Sequence, residues 1–114
     1  MEFDPNLTRS TVEPLVLRLV TERPMYGYEI IKVVNERTNK AFEWKEGTLY
    51  PCLHRLEGEG LIRSEWSVAE SGRNRKYYSI TRKGAKLLAD KTEEWSAFAK
   101  AVNAVLLAPR GSLA

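Results

Sequence analysis

The order in which the hydrophobic period changes along the chain constrains its fold more than any other feature. Three segments of helical spacing come first, then two short alternating segments around a basic turn, then one long helical segment. In the first, Val12, Leu15, Val16, Leu19 and Val20 recur at helical steps, the stripe of a helix that buries one face. Thr11 is placed to cap it, and Glu13 and Pro14 fall in its first turn, where a missing N–H costs least. Pro24 closes it. A second helix opens at Tyr26-Gly27-Tyr28-Glu29, turns Ile30, Ile31, Val33 and Val34 inward and fades near Asn39. Phe42-Glu43-Trp44-Lys45 alternates as a short extended segment. The third helix begins at Glu46-Gly47-Thr48 and runs to Gly58 or Gly60, a natural stop. Leu49, Cys52, Leu53 and Leu56 line its inner side. Pro51, His54 and Gly58 point outward, flanked by Thr48, Tyr50 and Arg55, and Pro51 is read as part of the first turn.

Leu61 to Val68 reads as a strand with Ile62, Trp66 and Val68 on one side, and Lys76 to Ile80 as its partner. Ser71-Gly72-Arg73-Asn74 is the turn between them. Thr81 caps a last helix that continues to about Leu107. With 114 residues, 43% of them hydrophobic, there is room for one modest core. The expected fold is α+β and mostly helical: a winged helix-turn-helix over residues 10–81 and a C-terminal dimerisation helix over 82–107. Residues 1–9 show no period and are expected to form a loose arm, and 108–114 an unstructured tail.

Charge is concentrated where the strands are. Arg63, Arg73, Arg75, Lys76, Arg82, Lys83 and Lys86 against Glu65 and Glu70 give the segment 63–86 a charge of +5, and the remainder sums to −2. A basic segment on a near-neutral body suits a nucleic-acid binder, although a solvated charged face gives the same count. Cys52 is the one cysteine and His54 the one histidine, so a zinc site of several Cys and His ligands is excluded. Cys52 lies on an apolar helix face and suits a small buried hydrophobe. An enzyme is disfavoured, and no cofactor is expected. The longest apolar run, Ala104–Ala108, is too short to cross a bilayer, and the N-terminus lacks the pattern of a secretory signal. No membrane association and a cytoplasmic location are expected.

Two helices followed by a third with a polar outer face fit a helix-turn-helix unit, whose last helix can enter a major groove. A hairpin with a cationic tip makes a wing able to reach phosphates or the minor groove. Met25-Tyr26-Gly27-Tyr28-Glu29-Ile30, Gly47-Thr48-Leu49-Tyr50-Pro51, Leu53-His54-Arg55-Leu56-Glu57 and Glu59-Gly60-Leu61-Ile62 resemble the signature of PadR-type regulators. The wing run from Gly72 to Thr81, followed by Gly84, is similar to the same family, so that the resemblance covers roughly residues 10–90. It implies a DNA-binding transcription regulator of the small-member branch, most often a repressor released by a small-molecule signal, binding an inverted-repeat operator in double-stranded DNA as a homodimer. The rival reading is a winged-helix protein-interaction module, which has no need of a basic wing.

Candidate DNA contacts are Tyr26, Thr48, Tyr50, His54, Arg55, Arg73, Arg75 and Lys76. Tyr26 either reaches a phosphate or packs, and Tyr28 is expected to pack. His54 either contacts DNA or is a solvated helix residue. Arg55 either reaches phosphate or pairs with Glu59. Trp44 and Trp66 are expected to be core or sheet residues. In the last helix Leu88, Trp95 and Val102 recur at seven-residue steps, interleaved with Lys91, Phe98 and Val105, a nearly complete dimer seam. Trp95 is a large knob for such a seam. It either fills the interface or, with Phe98, flanks a gap for a planar aromatic effector, as the resemblance implies.

Overall fold

The computed structural model of the chain describes residues 1–111. Its elements run α1 (Pro5–Arg9), α2 (Val12–Glu22), β1 (Met25–Tyr26), α3 (Gly27–Arg37), α4 (Glu46–Gly58), β2 (Ile62–Val68), β3 (Asn74–Ile80) and α5 (Arg82–Leu106). The α+β, mostly helical class and the winged arrangement hold. α2 is the central element, touching α3, α4, β3 and α5. For that reason Leu17, off the expected stripe, is fully buried together with Val16, Leu19 and Val20. α3 contributes Ile30 and Val34 to the core, and α4 contributes Leu49, Cys52, Leu53 and Leu56. Trp44, from the segment before α4, is buried in the same core.

The sheet has the order β1-β3-β2, and all its pairs are antiparallel. β1 was not legible as a strand: its two residues, paired Met25 to Tyr78 and Tyr26 to Tyr77, are too few to show a period. The hairpin runs in register from Ile62 opposite Ile80 to Val68 opposite Asn74. Its loop, residues 69–73, is closed by the Ala69 N–H on the Arg73 carbonyl at 2.9 Å and the Gly72 N–H on the Ala69 carbonyl at 2.8 Å. Gly72 takes φ +83°, a conformation open to glycine at little cost.

Two local expectations need correction. The segment 1–9 contains a helical turn, because Asp4 caps it by accepting from the Asn6 N–H at 2.8 Å and Pro5 presets its first φ. Phe3 also packs edge-on against Phe42, with ring centroids 5.5 Å apart. Pro51 lies in the second turn of α4, not the first, since the helix starts at Glu46. Of the expected tail, residues 108–111 form no helix or strand, and 112–114 lie outside the described residues.

α4 ends as Gly60 predicts. Gly60 adopts φ +75°, the Leu61 N–H bonds the Leu56 carbonyl at 2.9 Å and the Gly60 N–H bonds the Glu57 carbonyl at 3.0 Å, the paired closure of a Schellman motif. The start of α5 is built onto this stop. The Thr81 hydroxyl donates to the Gly60 carbonyl at 2.7 Å and accepts from the Gly84 N–H at 3.1 Å. The Thr81 N–H bonds the Leu61 carbonyl at 3.1 Å, and Lys83 Nζ reaches the Glu59 carbonyl at 2.9 Å. Gly84 is buried so closely against Leu61 that a Cβ would collide with its carbonyl oxygen. α5 then leaves the domain. Leu87 and Leu88 pack against the core, whereas every residue from Thr92 to Phe98 is exposed. A 25-residue helix is about 37 Å long, and the protein measures 65 × 30 × 21 Å.

Candidate nucleic-acid interface

The outer ridge of α4 is accessible as its periodicity predicts: Gly47, Thr48, Pro51, His54 and Gly58 are all exposed. What aims this ridge is Asn35 of α3, whose side chain accepts from the Trp44 N–H at 2.9 Å and donates to the Trp44 carbonyl at 3.2 Å. Those two bonds fix the backbone two residues before α4 starts. At the other flank Arg55 pairs with Glu13 of α2 at 3.3 Å rather than with Glu59. The pair ties α4 to α2, so Arg55 already has a carboxylate partner, half-exposed though it is. His54 stays on the solvent side.

The hairpin faces the start of α3 and Tyr50 of α4 across a cleft of about 490 Å³, lined among others by Tyr28, Tyr50, Trp66, Arg73 and Arg75. Tyr50 leans over Gly27 so closely that a Cβ there would collide with its hydroxyl. Tyr26 meets Tyr77 edge-on with centroids 5.5 Å apart, and the Arg75 guanidinium lies 4.3 Å from the centre of the Tyr26 ring. Tyr26 is thus a platform for a wing cation. The three wing cations do not share one turn tip. Arg73 alone sits on the loop, exposed, and takes part in none of the six ion pairs of the described residues. Arg75 and Lys76 are strand residues on opposite faces of β3. Lys76 is paired with Glu57 of α4 at 3.2 Å and lies over Tyr78.

Two aromatic residues depart from expectation. Tyr28 was expected to pack and is 62% exposed, because it begins a helix whose buried side is taken by Gly27 and Ile30. Hydrogen bonding to the Glu46 carboxylate, then that carboxylate's charge, raises its phenol above the ordinary tyrosine value. Trp66 was expected in core or sheet packing and is 67% exposed. It does share a face with buried Ile62. Four residues further along the strand, about 13 Å at strand spacing, that face has run past the core. Sequence reasoning also missed Glu57, which accepts from the Ser64 hydroxyl and from Lys76. These bonds, Ser64 first, hold its carboxyl below the ordinary value. Its signal was a lone acid on the flank of α4 facing a basic hairpin.

Burial pushes the Cys52 thiol up to about 11, so it is a thiol and not a thiolate at neutral pH. Among the described residues no group of three or more His, Cys, Asp and Glu side chains is arranged to hold a metal ion. None of their helices is long and apolar enough to cross a membrane. On α5, Leu88 faces its own core, and Val102 is partly covered. Trp95, Phe98 and Val105 are 52%, 59% and 77% exposed. The Trp95 and Phe98 rings lie 6.4 Å apart and tilted by 39°.

The model of the transcriptional regulator PadR-like family matches residues 16–90. A transcriptional regulator of Mycobacterium tuberculosis is 33% identical over 82 residues, spanning 72% of this chain and 73% of that protein. Among solved structures, a transcriptional regulator from Clostridium thermocellum is 36% identical with a TM-score of 0.83, covering 91% of this chain and 98% of its own. A PadR-like transcriptional regulator from Bacillus cereus is 29% identical with a TM-score of 0.80, covering 91% and 99%.

Proposed function

Because the chain belongs to the PadR-like family of transcriptional regulators, we propose that it binds an inverted-repeat operator in double-stranded DNA as a homodimer and represses until a small molecule releases it. The observation that carries this reading is the cleft itself: Tyr50, on the flank of the exposed α4 ridge, and the cationic hairpin border the same concave face. A helix presented in this way enters a major groove with Thr48, Tyr50 and His54 toward base edges or adjacent backbone. Arg73 and Arg75 then meet phosphates beside it. Such work belongs in the cytoplasm, beside the chromosome. The exposed apolar stripe of Trp95, Phe98 and Val105 supports dimerisation through α5, since a protruding apolar helix is poorly stabilised alone. Paired at the two-fold axis, Trp95 and Phe98 would stack on a planar aromatic effector, which regulates only if it binds the DNA-competent and incompetent dimers differently.

The test is selection from a random duplex pool. Recovered sites should be inverted repeats with half-sites separated by about one helical turn or a multiple of it. A protein-interaction module would recover no consensus and show no salt-dependent affinity for duplex.

A further inference from the structure

Trp66 is the largest exposed side chain of the hairpin, and nothing in the fold of one protomer accounts for it. Across the strands it stands opposite Lys76, and Ser64, two residues before it, shares its face. Both neighbours bond Glu57 of α4. The indole therefore projects on the side of the hairpin that faces α4, beyond the end of the hydrophobic core. It lines the same cleft as Tyr50 and Arg73, and Val68, next on this face, is likewise 67% exposed. An exposed indole in a strand between a polar helix ridge and a cationic loop is costly to leave in water and is flanked by groups that attract an anion.

We propose that Trp66 is a backbone-contacting residue of the DNA interface, an inference that rests on the DNA-binding reading above. With α4 in a major groove and the loop at 69–73 reaching the neighbouring minor groove, one sugar-phosphate strand must pass between them, over the middle of the hairpin. The indole lies against that strand. Its ring packs on the deoxyribose carbons, and its Nε1–H is the donor available to a phosphate oxygen. The occupant is duplex DNA because the cleft pairs aromatic surface with Arg73, an exposed loop cation that takes part in none of the ion pairs of the described residues. The contact carries no charge, so it adds affinity without releasing counterions, unlike the contacts of Arg73.

The experiment uses full-length protein and the duplex recovered by selection. Trp66→Ala should weaken binding by about tenfold, the usual size of an aromatic contact removed from an interface, with the slope of log K against log salt unchanged. In a Trp95→Phe protein, in which Trp44 is already shielded by burial, acrylamide should quench Trp66 freely, and the duplex should protect it. Wild-type affinity in Trp66→Ala, or quenching that the duplex leaves unaltered, overturns the proposal while the DNA-binding reading stands. A Trp66→Ala protein that loses its dimer by sedimentation overturns it too, and assigns the indole to contact between copies. Failure of the wild type to bind any duplex removes both.

Discussion

Glu57 sits in the last turn of α4 with its carboxylate divided between the two strands of the hairpin, accepting from Ser64 of β2 and Lys76 of β3. It sets the angle between the outward ridge and the wing. The Ser64 bond, then Lys76, depresses its pKa, and a depressed carboxyl stabilises the fold above the ordinary carboxylate value and loses that contribution as pH falls through the depressed one. Glu57→Gln should therefore be less stable than wild type at neutral pH, with the difference closing in acid, as urea unfolding at several pH values will show. Gly27 acts on the same face from the other side. Because the atoms a Cβ would meet are the far end of the Tyr50 ring, Gly27→Ala should move that ring and weaken DNA binding while the thermal unfolding midpoint changes little. Neither residue was visible as a site beforehand. The sequence put Glu57 within the third helix and Gly27 at the start of the second, but what each touches depends on elements remote in sequence. The same is true of Arg55, whose partner Glu13 is 42 residues away, while local spacing offered only Glu59.

At the scale of elements, the long periodic segments were legible and the short ones were not. α2, α4 and α5 begin and end within a residue or two of where caps, proline and glycine put them; α2 and α4 each bury a stripe that the sequence must encode, and α5 carries one whose later part stays exposed. β1 and α1 hold two and five residues, and a segment shorter than two periods carries no period to read. The wing lies between these cases. Its strands were legible, but the division of labour among its cations was not, since Arg75 and Lys76 face opposite ways and only the fold decides which side is open. From this division Arg73→Ala should lower the salt slope of DNA binding by about one unit, whereas Lys76→Ala should chiefly lower stability by freeing Glu57. Fluorescence titrations of both variants at four salt concentrations, with melting curves, separate the two effects. Gly84 marks the joint between wing and α5. A methyl there meets the Leu61 carbonyl, which belongs to backbone and cannot swing away. Gly84→Ala should cost about 1–3 kcal/mol, measurable by urea unfolding.

Over the whole molecule, the elongated shape follows from one helix doing two things. The first turns of α5 are bonded to the stop of α4 through Thr81 and Gly60, and its later turns stand clear with Trp95 and Phe98 exposed. A second copy packed against those turns would therefore orient both α4 ridges through a short, hydrogen-bonded joint. Spacing of the two ridges is what an inverted repeat matches, so in the proposed dimer the contact between copies and the reading of DNA would be coupled by geometry. Phe98→Glu separates the two levels. The side chain is 59% exposed in the protomer, so the carboxylate costs the isolated fold little. In a dimer seam it is desolvated without a partner, at a cost of several kcal/mol. Sedimentation should show a folded monomer with the wild-type circular dichroism spectrum. That monomer should still bind a single half-site with salt-dependent affinity, because α4 and the wing are intact. It should no longer prefer two half-sites at the selected spacing over two placed half a helical turn apart. A variant that keeps this preference would place the dimer contact outside the exposed stripe of α5.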